Sequence, residues 1–364
     1  MVAMAEIAMK SRVYLDHAAT APVCDAARDA MLAALVAVGN PASVHAAGRA
    51  ANGLVERARD AVADFAGCAP EAVVFTIGGT EALALALHGS GMARCLVSAT
   101  EHSAVLAARS DATIIPVGRD GVVDLAALAD LLVAGPALVA VQHANNETGV
   151  IQPLVEVAAL VAAQGGLLLV DAVQSASKLS LPVADFVALS AHKLGGPAGV
   201  GALVVRNPAT LVAVQRAGGQ ERGLRGGTPN IPGIAGFAAA VAEPHDWAGV
   251  ALLRGRLEAA VLAAGGIVHG AGAQRLPNIS NIGLAGVAGG TQVMALDLAG
   301  FMVSAGAACS SGKVATSHVL AAMALGAAAG EAIRVSLGPQ TTADEVDGFI
   351  SAWTRMAQRL VKAA

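Results

Sequence analysis

The chain reads as an α/β protein, with a mainly parallel sheet in a large domain and a smaller α+β domain at its C-terminal end. Three observations predict this. From about Val73 to Val205, short apolar runs alternate with stretches of helical spacing, the pattern of a parallel sheet covered on both faces. After the Gly-rich stretch from Gly218 to Asn230, the alternation gives way to helical runs followed by a few short strands. At 364 residues, the chain is long enough for two domains.

Taken in order, Val73-Val74-Phe75-Thr76 predicts a strand feeding a helix from Thr80, and Cys95-Leu96-Val97-Ser98 a strand feeding a helix near His102. Thr113-Ile114-Ile115-Pro116 precedes a helix over Leu125–Leu132, and the strand-like Ala137–Gln142 precedes one over Leu154–Ala163. Leu167–Asp171, Phe186–Ser190 and Val200–Val205 complete the first sheet. Beyond it, helices over Ile234–Ala242 and Val250–Ala264 lead to strands at Gly266–Val268, Asn278–Ile282 and Ala332–Ser336, with a last helix from about Ala343. The expected division is a leader over residues 1–14 lying near the small domain, a large domain over 15–235, and a small domain over 236–364.

Composition narrows the function. The net charge of −4 gives no electrostatic footprint for nucleic acid. Hydrophobic residues make up 55% of the chain, but Ala and Gly dominate, and polar residues interrupt every run before bilayer length. The first ten residues carry an early Glu and no unbroken apolar region with a cleavage site, so a loose leader is expected and a signal peptide is not. Cys24, Cys68, Cys95 and Cys309 lie far apart, which suggests neither a disulfide framework nor a metal site, and reduced thiols in the cytoplasm are the default expectation.

Chemistry concentrates where the predicted strands end, which is where ligands gather in sheets of this kind. Lys193 follows the strand-like Phe186–Leu189 in Ser190-Ala191-His192-Lys193, and Asp171 ends the apolar Leu167–Val170. A lysine in so apolar a setting must be paired, neutral or covalently engaged. A carboxylate and a lysine on successive strand ends suit pyridoxal 5'-phosphate: the carboxylate keeps the pyridine nitrogen protonated and the lysine forms the Schiff base. A structural Asp–Lys ion pair is the plain alternative.

Gly78-Gly79-Thr80 opens a helix and offers N–H groups, a hydroxyl and the helix dipole to a phosphate, although simple capping explains it as well. Ser190 and His192 are further phosphate donors. His102 is placed to lie on a cofactor ring and move protons, or is a satisfied core histidine. Asn146 and Gln174 are amides suited to a phenolic oxygen. Cys309, in the Gly/Ser/Ala run from Ser304 to Gly312, is either a mobile nucleophile or an incidental surface thiol. Arg334, a lone charge in the apolar Ala332–Leu337, suits a substrate carboxylate or a structural salt bridge.

Together these residues resemble the cysteine desulfurases of the class V aminotransferase family, the NifS-like and IscS-like enzymes. The likeness runs from Tyr14-Leu15-Asp16-His17-Ala18-Ala19-Thr20 to Gly338. It rests on Gly39–Ser43, Thr100-Glu101-His102, His143–Glu147, Val170–Gln174, Ser190–Lys193, Gln220–Thr228 and Ile333–Gly338. The resemblance implies a fold-type I pyridoxal-phosphate enzyme and a homodimer that takes sulfur from L-cysteine, releases alanine and passes a persulfide to an acceptor or scaffold protein. By position, Lys193 is then the Schiff-base lysine, Asp171 the pyridinium partner and His102 the ring stacker. Asn146 and Gln174 meet the phenolic oxygen, and Gly79, Thr80, Ser190 and His192 bind phosphate, joined by Thr228 from a second subunit. Asn40 and Arg334 hold the substrate carboxylate, and Cys309 carries the persulfide. Selenocysteine lyase, another class V lyase or aminotransferase, and a weakly active sulfur-relay scaffold are the alternatives.

The pattern departs from the family in places. Ala82-Leu83-Ala84 follows Glu81 where polar residues are usual, Gly195 and Ala198 replace larger residues, and Ser-Ala-Gly-Ala-Ala-Cys softens the family's Ser-Ser-Gly-Ser-Ala-Cys. None of these removes a group the reaction needs. The chain runs only 26 residues past Gly338, so the long scaffold-docking tail of IscS-like enzymes is expected to be missing.

Overall fold

The computed structural model describes residues 12–305 and 316–361. Its strands, in chain order, are β1 Val13–Tyr14, β2 Val73–Thr76, β3 Cys95–Ser98, β4 Thr113–Ile115, β5 Leu138–Ala140, β6 Leu167–Asp171, β7 Phe186–Ser190, β8 Gly201–Val205, β9 Ile267–His269, β10 Ile279–Gly283, β11 Phe301–Met302 and β12 Ala332–Ser336. Seven of them form the main sheet in the order β2-β8-β7-β6-β5-β3-β4. The pairs from β7 to β4 are parallel, while β8 runs antiparallel to both its neighbours, β7 and β2. All strands of this sheet but β8 therefore point their carboxyl ends to one edge.

Strands of this sheet alternate their side chains between two buried layers, as the pleat requires. Val187 and Leu189 join Val139, Leu168 and Val170 on one face. Phe186 and Ala188 join Leu138, Ala140 and Leu169 on the other. Both faces are covered because the strands are apolar on both sides. The helices are α1 Asp25–Leu35, α2 Ala46–Ala66, α3 Gly79–Gly89, α4 Ser103–Leu106, α5 Leu125–Leu132, α6 Leu154–Ala163, α7 Ile231–Val241, α8 Trp247–Ala263, α9 Gly289–Leu298, α10 His318–Ala322 and α11 Ala343–Val361. Helix α2 begins where His45 accepts the Gly48 N–H and ends on Gly67 in the left-handed region at φ 61°. The Ala-rich α1 and α2 precede the first predicted strand.

A second core surrounds the antiparallel sheet β12-β10-β9, where Trp353 and Phe349 of α11 meet Leu257 and Val261 of α8. Strand β1 pairs in parallel with β11, and Leu15 belongs to this core. Ile234 and Phe237 of α7 pack instead with Val187 and Leu189 of the main core, so the division expected after residue 235 falls inside a helix of the larger layer. No helix among the described residues is long and apolar enough to cross a membrane.

Candidate active site

A cavity of about 440 Å³ opens at the carboxyl edge of the main sheet. Each wall comes from a chain segment leaving a strand. Gly79 and Thr80 follow β2, His102 follows β3, Asn146 follows β5, Asp171 ends β6, and Ser190, His192 and Lys193 follow β7. Gln174 and Arg334 complete the set of expected residues that line it. Nine of these ten converge because the strands they follow end at one edge of the main sheet, and Arg334 comes to them from β12 of the second sheet.

The turn after β2 is cut close. A Cβ on Gly79 would lie 2.7 Å from Val173 Cγ2, so the start of α3 can approach the Asp171–Gln174 turn only with glycine there. Thr80 lies exposed at that helix start, while Ser190 is almost wholly buried at the end of β7.

Lys193 Nζ donates to the Ala18 and Ala19 carbonyl oxygens, at 2.6 Å each. Burial and the Arg334 charge push its amine down to about 8, against the opposing pull of Asp16 and Asp171. Gln174 Nε2 donates to the same Ala18 oxygen at 2.8 Å. Asp171 Oδ1 accepts the Val173 N–H at 2.9 Å. Burial raises its carboxyl, while that N–H, His102 and Lys193 draw it down.

His102 is exposed to the cavity, and its Nδ1 caps α4 by accepting the Ala104 N–H at 3.1 Å. In the neutral ring this places the proton on Nε2. Burial holds the imidazole below its usual range, Asp171 opposes that, and Lys193 and His318 add to it. His192 Nδ1 and Thr20 Oγ1 are 3.1 Å apart, and burial with the Lys193 charge pushes this imidazole down to about 4.

Arg334, on β12, reaches in from the second core. Its Nη2 meets Asp16 Oδ1 at 2.6 Å and its Nη1 donates to the Asn146 carbonyl at 3.0 Å, while Nε is buried with no partner among the described residues. Both readings of this arginine therefore have a structural footing: it is salt-bridged, and it faces the cavity.

Two expected residues lie elsewhere on the chain. Asn40 is exposed outside the cavity lining, with Oδ1 accepting the Ala42 N–H at 3.0 Å. Thr228 lines a separate groove with Glu221, Arg225 and Ile77. Cys309 lies outside the described residues.

Four cavity-side residues were given no role from sequence. Asp16 was quoted only as part of a motif, although a single acid between Leu15 and Ala18 is a signal of its own. Glu101 is fully buried and accepts the Gln142 N–H at 2.7 Å. Burial and the Asp171 charge push its carboxyl well above the usual range, while the Gln142 N–H draws it down. Glu147 accepts the Ser317 hydroxyl at 2.5 Å, and His318 Nε2 donates to the Glu101 carbonyl at 2.9 Å. These last contacts tie the chain after residue 315 to the mouth of the cavity.

The residues present fit pyridoxal phosphate: a cradle at Gly79 that a Cβ would fill, a carboxylate, a lysine with a depressed amine and a histidine converge on one cavity of suitable chemistry.

Comparison with known proteins gives a consistent result. Residues 13–349 match the family described as aminotransferase class-V. A protein named cysteine desulfurase from Cereibacter sphaeroides is 41% identical over 363 residues, covering 93% of this chain and 94% of its own. A solved structure titled NifS-like protein superposes with a TM-score of 0.87 at 32% identity, over 96% of this chain and all (100%) of its own. Another, titled SspA in complex with cysteine, gives a TM-score of 0.80 at 28% identity, over 91% of this chain and 100% of its own.

Proposed function

The chain belongs to the class V aminotransferase family and, within it, resembles the cysteine desulfurases throughout its length, and from that premise we propose how its cavity removes sulfur from L-cysteine. It is an enzyme of the cysteine desulfurase type. The observation that carries the reading is that Asp171 and Lys193, on the ends of adjacent parallel strands, face one cavity together with His102 and Arg334.

Pyridoxal phosphate, when bound, supplies a carbonyl that takes up the substrate amine and a ring that accepts the electrons left when the Cα–H bond breaks. Lys193 tethers it and, once released, takes the Cα proton at Nζ; an amine near pH 8 is available for this where an ordinary lysine is not. Asp171 keeps the ring nitrogen protonated. Gly79, Thr80, Ser190 and His192 hold the phosphate, Asn146 and Gln174 meet the phenolic oxygen, and Arg334 orients the substrate carboxylate. His102 holds a proton at Nε2 and exchanges it with the thiols.

The sulfur step belongs to Cys309. Its thiolate forms an S–S bond to the substrate sulfur as the C–S bond breaks. The electron pair of that bond stays with Cβ, which takes a proton; the proton held at Lys193 Nζ returns to Cα to give alanine, and the persulfide goes on to an acceptor protein.

A homodimer accounts for the two residues that stand apart. Asn40 lies on a segment that exposes Val36, Val38 and Val44, each more than 80% accessible, and Thr228 lies on a groove away from the chain's own cavity. A second copy covering these surfaces buries the valines and carries Thr228 toward the other copy's phosphate. Cytoplasmic residence is part of the same proposal.

The test is an assay of the full chain with pyridoxal phosphate and L-cysteine. Alanine and sulfide should form in equal amounts in the presence of a reducing thiol, and borohydride should fix the cofactor to Lys193. Release of alanine from selenocysteine only, or a pyridoxyl group on another lysine, overturns the reading.

A further inference from the structure

Behind Lys193 lies a second, smaller cavity of about 30 Å³, lined by His17, Cys24, Ser177, Lys178, Lys193, His245, Trp247 and Asn278 among others. Lys193 lines both cavities and is the wall between them. The second cavity is polar and incompletely paired: His17 Nδ1, Ser177 Oγ, Trp247 Nε1 and Asn278 Oδ1 are buried without partners among the described residues. That volume accommodates one or two water molecules, and a polar lining of this kind favours them.

Lys178 stands at this cavity with no carboxylate partner among the described residues. Its Nζ lies 5.0 Å from the centroid of the Trp247 ring, a cation–π contact. Ser177 beside it is held at φ +66°, a left-handed conformation that strains a non-glycine residue. The charged and titratable groups that face the cavity are His17, Cys24, Lys193 and His245. Glu345 acts on His17 from α11, and Glu243 acts on His245. Beyond Lys193 lie Asp16, Asp171, His192 and Arg334 of the main cavity.

We propose that Lys178 is the proton partner of Lys193, the two amines sharing one proton through the small cavity that both line. Lys193 must be unprotonated to take the Cα proton as proposed above, so a neighbour able to hold its proton sets when it is available, and on that point this inference rests on that reading. The exchange is balanced: a proton leaves Lys193 Nζ as its ammonium becomes an amine, and the Lys178 amine becomes an ammonium, with water as carrier and no electrons transferred. Energetics favour an exchange in either direction. Burial and the Lys193 charge push the Lys178 amine down to about 7, close to the value of about 8 for Lys193. Burial and the Lys178 charge push His17 down to about 4, so it is neutral and does not compete for the proton near pH 7. Lys178 acts through Lys193 and touches no reacting atom, so it is a positioning residue.

The chain has only five lysines (Lys10, Lys178, Lys193, Lys313 and Lys362), which makes a direct titration practical. Full-length, cofactor-free protein is reductively methylated with ¹³C-formaldehyde, and the dimethyl-lysine signals are followed by NMR from about pH 6 to 10. Replacing Lys193 by Ala should raise the Lys178 midpoint by about one unit, because Lys178 loses a like charge. Lys178→Arg, with a permanent charge, should lower the Lys193 midpoint below wild type. A Lys178 midpoint that is unmoved in Lys193→Ala, or a Lys193 midpoint that is the same in Lys178→Arg as in wild type, overturns the pairing. These measurements need neither cofactor nor substrate, so they fail separately from the borohydride and alanine assays. In the holoenzyme, Lys178→Arg should also move the rising limb of kcat/KM to lower pH, and an unmoved limb would count against the pairing.

Discussion

Arg334 Nη2 and Asp16 Oδ1 lie 2.6 Å apart although 318 residues separate them in sequence. The contact is made because the segment after β1 is stitched to β12: Ser336 N–H donates to the Leu15 carbonyl at 2.8 Å, and Ala18 N–H donates to Ser336 Oγ at 2.9 Å. The guanidinium that faces the cavity thus already has one carboxylate, and an arriving substrate carboxylate must share it with Asp16.

Breaking that pair should cost stability first. Asp16→Ala leaves a buried guanidinium without its counter-charge, and the expected loss is about 3 kcal/mol. Chemical denaturation of the cofactor-free protein measures it. A loss under about 0.5 kcal/mol would mean that the pair is solvated and contributes as little as a surface bridge.

Arg334→Lys keeps the charge but loses the planar fork. KM for L-cysteine should rise about tenfold or more, the loss expected for one charged hydrogen-bond arrangement, while the absorbance of the lysine-linked cofactor stays as in wild type. An unchanged KM would place the carboxylate elsewhere.

Lys193 gives a pH prediction with a definite sign. Its amine is depressed from the ordinary lysine value to about 8, so the reactive neutral form reaches one half near that pH and is nearly complete about one unit above it. The rate at which cofactor-free protein captures pyridoxal phosphate should rise with pH and level off above roughly 9. A rate still climbing steeply through pH 10 would show an ordinary, solvated lysine.

Asp171→Asn preserves size and removes the charge that stabilises a protonated ring nitrogen. Cofactor retention should weaken, and solvent-deuterium exchange at the substrate Cα should slow by about a hundredfold or more, the scale of losing a positioned acid–base contribution. Wild-type exchange in this variant would sink the assignment.

Much of this site was legible in the sequence because its polar residues fall where apolar strands end. Asp171 after Leu167–Val170 and Lys193 after Phe186–Ser190 needed only the period-two and alternation rules to be placed on one edge. The seven strands of the main sheet were legible for the same reason, since each is an unbroken apolar run. What escaped depends on contacts between distant segments. Asp16 meets Arg334 only through the stitching of the first strand segment to β12, and the raised carboxyl of Glu101 follows from its burial beside Asp171. Helices α1 and α2 carry a signal of their own: α2 buries Ala51, Val55, Ala58 and Val62 at helical spacing, with Arg57, Asp60 and Asp64 on the open side. Nothing in the local sequence of Lys178 marks the cavity it shares with Lys193.

The central claim is that sulfur passes from L-cysteine to a thiol of this chain, and mass spectrometry of peptides from the holoenzyme after brief exposure to L-cysteine tests it most directly. The account predicts one added sulfur on the peptide that carries Cys309, with Cys309→Ala still binding the cofactor through Lys193 but making almost no alanine. Sulfur found on Cys24, Cys68 or Cys95, or alanine formed by Cys309→Ala at the wild-type rate, would contradict it.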